Sequence, residues 1–314
     1  RITGLDVIRV RHKRREDRGT PYVEIATNVG VEGYGGPLYN EQARSLEGLV
    51  PRLRKLLVGR DPALREIDFL WCWNELYPDK PLRAYGEGRD PLTSEAIWNT
   101  RRKARHTPTG NIITALSAVD NALWDIRGKL AGRPVYRLLG GTRKKLRAYL
   151  SIVPDDDIAK ARRQAKDLFD QGHTAQKWFF RWGPPDGKAG FAKIVGLVEG
   201  LRSDLGEKAQ LMFDFHVGSR GRCDWDVPFA IRVAKAIEPF APYWLEEPFS
   251  PEEVDSYRRL KGETSIPLAT GEHAYSRWHI QPFLDERLVS YVQSDPEWCG
   301  GLSELLEVCQ LVSR

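Results

Sequence analysis

Four acidic residues, Asp214, Glu246, Glu272 and Asp295, each close a short apolar run that reads as a β-strand, and each run is followed by a stretch of helical character. The runs are Leu211 to Phe213, Tyr243 to Leu245, Ile266 to Gly271 and Tyr291 to Ser294. Strand then helix, repeated in this way, predicts a parallel β/α sheet or barrel. In such barrels the chemistry sits at the C-terminal ends of the strands. Carboxylates converging there repel one another unless a cation neutralises them, so Asp214, Glu246 and Glu272 are expected to hold a hard metal ion through oxygen. A single strand-end acid is ordinarily solvated or caps the next helix, but three in succession are poorly explained that way.

A chain of 314 residues is long enough for two domains. Its charged share of 29% and apolar share of 41% are those of a soluble globular protein. The net charge of +5 comes without a Lys/Arg block large enough for a nucleic-acid groove, and it suits a small anionic substrate better. Cys72, Cys223, Cys299 and Cys309 lack CxxC spacing and are too few to staple such a chain, so reduced thiols in a cytoplasmic protein are expected. No run of ~18 apolar residues and no signal-peptide pattern is present, so no membrane association is expected. Gly30 to Gly36 follows a strand, but no helix follows it, which argues against a nucleotide-binding turn.

The organisation changes along the chain. Residues 1 to about 36 read as three extended segments forming an antiparallel meander, followed by helical periodicity over Glu41 to Leu57, Ala63 to Leu76 and Ile112 to Leu130. From Lys145 strands and helices alternate, giving six β/α units to residue 314. The expected division is an α+β domain over 1–115, a connecting helix and linker over 116–144, and a barrel domain over 145–314. An eight-stranded barrel typically needs ~250 residues. Either the sheet is open or the protein continues past Arg314, and the second is expected because an incomplete barrel wall exposes two parallel edges.

Trp244-Leu245-Glu246-Glu247-Pro248, Gly271-Glu272-His273, and Asp295 followed by Gly300-Gly301 resemble the mandelate racemase branch of the enolase superfamily. So do Ala115 to Lys129, Gly132-Arg133-Pro134 and Leu138 to Gly141, and the resemblance runs over nearly the whole chain. It implies a TIM-type (β/α) barrel, in its modified (β/α)7β form, under an N-terminal α+β capping domain. It also implies Mg²⁺ held by Asp214, Glu246 and Glu272, removal of a proton α to a carboxylate, and a homo-oligomeric assembly. Of the pair Glu246-Glu247, the first matches the ligand position, and strand alternation is expected to turn the second away.

Which reaction follows proton removal depends on a few positions. Lys177 stands where racemases of this family carry Lys-x-Lys, but the second lysine position is Phe179, which offers no acid or base on the opposite face. Lys177 is expected to act as a catalytic residue, binding the substrate carboxylate and stabilising the developing negative charge. Asp214-Phe215-His216 resembles the Asp-x-His of galactonate dehydratases, which implies that His216 protonates a departing hydroxyl. Asp295 matches an aspartate that orients a base histidine, and that histidine is expected beyond Arg314. His273, Arg277, Arg181 and Glu247 are expected around the substrate, although packing explains His273 equally well. The basic stretch Arg11 to Arg18 fits either a loop covering the site or a solvated charge run.

These features predict an Mg²⁺-dependent acid-sugar dehydratase acting on a small-molecule acid sugar. Two other readings stay open: a racemase, epimerase or cycloisomerase of the same fold, and a non-catalytic ligand-binding relative.

Overall fold

The computed structural model describes residues 1–11, 19–77, 108–215 and 225–314. His216, Cys223 and most of the Arg11 to Arg18 stretch lie outside them.

Three strands open the chain in the order β1 (Ile2–Val10), β2 (Thr20–Thr27) and β3 (Glu32–Gly35), antiparallel throughout. On β2, Pro21, Val23, Ile25 and Thr27 are buried while their neighbours are partly exposed, so the period-two pattern marks a sheet covered on one face. Helix α1 (Asn40–Leu57) contributes Leu46, Leu49, Leu53 and Leu57 to that core. The helix expected from Ala63 instead begins at Phe69. Asp68 stops the preceding turns by accepting from the Trp71 amide at 2.8 Å, capping α2 (Phe69–Leu76).

Helix α3 (Pro108–Leu130) lies directly on β3. A Cβ on Gly33 would stand 2.2 Å from the Ala122 carbonyl oxygen, and one on Gly35 would stand 1.8 Å from that of Ala118. Only glycine lets strand and helix backbones approach so closely.

The second sheet is parallel, in the sequential order β4 (Leu150–Ile152), β5 (Ala175–Phe179), β6 (Gln210–Asp214), β7 (Trp244–Glu246), β8 (Leu268–Thr270) and β9 (Tyr291–Val292). The helices after these strands are α4 (Ile158–Asp170), α5 (Gly187–Leu205), α6 (Val227–Ile237), α7 (Val254–Lys261), α8 (Arg277–Asp285) and α9 (Gly301–Val312). Their apolar faces join the outward side chains Trp178, Phe213, Leu245 and Leu268 in one core.

The inward side chains show that the sheet is curled. Tyr149, beside β4, places its ring 5.5 Å from that of Trp244 on β7, and Tyr291 on β9 approaches the same indole at 4.9 Å. Across a flat sheet, strands three places apart are separated by roughly 14 Å. Both flanking strands therefore bend towards a common axis, as a barrel wall does. No helix among the described residues is long and apolar enough to cross a membrane.

Candidate active site

Strand register sets the floor of the site. Phe179, Asp214 and Glu246 are neighbours across β5, β6 and β7, with Lys177, Met212 and Trp244 one layer deeper. Lys177 reaches up from that layer. Its ammonium donates to Asp214 Oδ2 at 2.8 Å and to the Glu246 carboxylate, while Trp244 Nε1 donates to Glu246 Oε2 at 3.0 Å. All three ionic side chains are buried. Burial opposes charge on Lys177, but the two carboxylates outweigh it and raise its pKa, so the ammonium stays protonated. Burial and repulsion from Glu246 hold the Asp214 carboxyl well above the usual carboxylate range despite Lys177.

A second group stands beside the first. β7 ends at Glu246, and Glu247 follows with φ of 40°, a left-handed backbone that interrupts the alternation. The expectation that alternation would turn Glu247 away is thereby corrected: its carboxylate is buried and joins the site. Glu247 Oε2 pairs with His273 Nδ1 at 2.6 Å, and Oε1 accepts from the His273 amide at 3.2 Å. Burial disfavours the imidazolium, but the Glu247 charge outweighs it and lifts His273 to about 9. Burial raises the Glu272 carboxyl, and Glu247 raises it further.

Among the described residues, Glu247, Glu272 and His273 have donor atoms all within 4.8 Å of one another, whereas Asp214 and Glu246 converge on Lys177. Glu272 lies beyond its strand because β8 stops at Thr270, where Gly271 turns the chain at φ of 131°; a Cβ there would meet the Gln293 amide at 2.9 Å. Asp295 likewise stands past the end of β9, its Oδ1 accepting from the Glu297 amide at 2.7 Å.

The donor set fits a divalent cation. Asp214, Glu246, Glu247 and Glu272 supply four carboxylates, against two cations on Lys177 and His273. The excess is negative, carried by hard oxygens in a poorly solvated place, and that is the chemistry Mg²⁺ prefers.

Two expected substrate contacts are engaged elsewhere. Arg277 donates through Nε to Glu304 Oε1 at 2.9 Å and through Nη1 to Glu307 at 2.9 Å, tying α8 to α9. Arg181 donates to the Pro154 carbonyl at 3.0 Å and pairs with Asp156 at 2.9 Å, holding the loop after β4. Both guanidinium groups are held by local carboxylates or carbonyls. The structure adds Trp298, whose ring lies 5.4 Å from His273 and 6.4 Å from Tyr39 of the first domain. Nothing in the sequence pairs Trp298 with His273, because that contact joins two loops.

Comparison with known proteins agrees with this architecture. Residues 160–314 match the enolase C-terminal domain-like family, and residues 79–140 match the mandelate racemase/muconate lactonizing enzyme N-terminal domain. A D-galactonate dehydratase from Ralstonia pickettii (strain 12J) is 30% identical over 295 residues, covering 92% of this chain and 68% of that protein. The structure of a mandelate racemase/muconate lactonizing enzyme-like protein from Rubrobacter xylanophilus superposes with a TM-score of 0.73 at 27% identity, covering 100% of this chain and 77% of that one. That of a 3,6-anhydro-D-galactonate cycloisomerase from Zobellia galactanivorans gives 0.73 at 25% identity, covering 99% and 77%. The chain therefore belongs to the enolase superfamily, in its mandelate racemase/muconate lactonizing enzyme branch.

Proposed function

We propose that the protein is an acid-sugar dehydratase, converting an aldonate-type acid to a 2-keto-3-deoxy acid. The observation that carries this reading is the excess of buried carboxylate at the C-terminal strand ends, with His216 following Asp214 by two residues in the sequence. Similarity to D-galactonate dehydratases supports it. Asp214, Glu246 and Glu272 are the residues proposed to hold Mg²⁺, with Glu247 and His273 beside them. When bound, the cation would supply positive charge against the substrate carboxylate and so acidify its α-proton.

The chain's own residues contribute to the other steps. Lys177 donates to Asp214 and Glu246 and neutralises part of their charge. Phe179, one pleat above it and level with Asp214, has no proton to exchange. The Phe179 position therefore lacks the acid/base group that a Lys-x-Lys strand would place there, which argues against two-base racemisation, although a Lys177/histidine pair stays open. Loss of the C2 proton to a base on the other side, oriented by Asp295, leaves an enol-type carbanion; expulsion of the C3 hydroxyl as water takes a proton from His216. Tautomerisation of the resulting enol completes the 2-keto-3-deoxy acid.

Cycloisomerisation is the second reading, favoured by similarity to the 3,6-anhydro-D-galactonate cycloisomerase from Zobellia galactanivorans. Incubation of the protein and Mg²⁺ with a panel of acid sugars, scored for keto-acid release by semicarbazide absorbance, tests the proposal. Release from at least one aldonate is expected; ring-opened or ring-closed isomers without water loss would replace it with the cycloisomerase.

A further inference from the structure

The loop leaving β9 carries Asp295 and Trp298, and helix α3 of the other domain grips that loop with a row of polar side chains. Asp120 and Asn121 stand three and four residues after Ser117, and Trp124 stands four and three residues after them, which sets the four on one face of α3. Asn121 holds both ends of the loop: its Nδ2 donates to the Pro296 carbonyl at 2.9 Å and its Oδ1 accepts from the Leu302 amide at 3.0 Å. Ser117 Oγ accepts from the Gly300 amide at 2.9 Å. Asp120 Oδ2 accepts from the Ser303 amide at 2.9 Å, and its Oδ1 accepts from Ser303 Oγ at 2.7 Å. Trp124 Nε1 donates to the same hydroxyl at 2.9 Å.

The backbone is shaped to this grip. Gly300 and Gly301 have φ of 120° and 85°, and a Cβ on Gly301 would stand 2.4 Å from Asp120 Oδ2. Within the loop, the Asp295 carbonyl accepts from the Trp298 and Cys299 amides at 3.0 and 2.8 Å. The backbone of Asp295 is thus bonded directly to the segment that α3 clamps at residues 296 and 300. Trp298 in turn packs against His273.

We propose that Ser117, Asp120 and Asn121 are positioning residues for the active site: from the capping side they fix the 295–303 loop, so that Asp295 keeps one orientation and Trp298 stays packed on His273. The part given to Asp295 rests on the dehydratase reading, whereas the anchoring of the loop does not.

The test uses the full chain with Mg²⁺ and the variant Asn121→Ala, with hydrogen exchange, thermal unfolding and steady-state kinetics measured together. Amide exchange over 296–303 is expected to rise about tenfold or more, with strands β5 to β7 unchanged. On an aldonate that the parent dehydrates, kcat is expected to fall about tenfold with KM within roughly twofold, because the loop orients the base and not the substrate carboxylate. Ser117→Ala, which removes the bond from the Gly300 amide and the one to the Ile113 carbonyl within α3, repeats the measurement if Asn121→Ala does not fold, and Ser117→Thr should restore parental exchange. Unchanged exchange over 296–303, or an equal rise across β5 to β7, would overturn the proposal, as would faster loop exchange with parental kcat. Selective loop exchange in a protein that dehydrates no acid sugar would uphold the anchoring and remove the dehydratase reading instead.

Discussion

Two buried ionic clusters lie at the same end of the parallel sheet and are built in opposite ways. Between α8 and α9, Glu304 is almost fully buried and is met by one guanidinium in fork geometry; it also accepts the Arg277 amide at 2.8 Å, while Arg277 uses its remaining nitrogen on Glu307. The one buried carboxylate there is matched by one cation, with Glu307 left at the solvent, and the result is a lock between two helices. At the ends of β6 to β8, four carboxylates share Lys177 and His273, and two of those carboxyls, Asp214 and Glu272, are pushed upwards in pKa. Buried charge is costly unless paired, so an unbalanced cluster is poor scaffolding and marks a place kept for chemistry.

The largest expected effect falls on the unbalanced cluster. Asp214→Asn should weaken Mg²⁺ binding and reduce turnover on the order of 10³-fold or more, since Asp214 is one of the proposed ligands at the centre of the site. Calorimetric titration with Mg²⁺ alongside keto-acid release checks it, and parental Mg²⁺ affinity would break the contrast. His216→Asn should lower dehydration on the order of 10²–10⁴-fold, the usual contribution of a positioned general acid, while C2 deuterium uptake from solvent persists. A variant that dehydrates at the parental rate removes His216 from the mechanism.

The matched cluster should respond in stability instead. Arg277→Ala leaves Glu304 buried without its partner and is expected to cost about 3–5 kcal/mol in unfolding free energy, with Mg²⁺ affinity unchanged. Denaturant unfolding and the same metal titration decide it; an equal loss of metal binding would show that the two clusters are one.

Asp120 sharpens the comparison at the small end. It is buried with hydrogen bonds from Phe69 and Ser303 but without a direct cation among the described residues, and burial lifts its carboxyl to about 6, against the opposing pull of the Ser303 bonds and Arg127 and with a further push from Asp68. An acid whose folded pKa lies above its unfolded value binds its proton more tightly when native. Its ionisation therefore weighs against folding in full above about pH 6, and that penalty is relieved as pH falls from 6 towards 4. The stability difference between the parent and Asp120→Asn should change across that window and be flat above it, as unfolding curves taken from pH 4 to 8 would reveal.

Local periodicity made much of the fold legible. The antiparallel start, the six β/α repeats and the acids at Asp214 and Glu246 follow from residue patterns only a few positions long, and backbone sterics impose those patterns wherever they occur. The same reasoning misplaced the start of α2, since the Asp68 cap outweighs helical periodicity from Ala63, and it misjudged Glu247, since alternation ends where the backbone turns left-handed.

Partner choice belonged to the tertiary structure. The sequence supplied Lys177, Arg181, Arg277 and His273 as four candidate groups for one substrate. Folding gave Lys177 to Asp214 and Glu246, Arg181 to Asp156, Arg277 to Glu304, and His273 to Glu247. Residue identity determines which charges a chain carries and the periods at which they recur. Which opposite charge each one meets depends on distances between separate strands, loops and helices, and those distances exist only once the sheet has curled and its helices have packed.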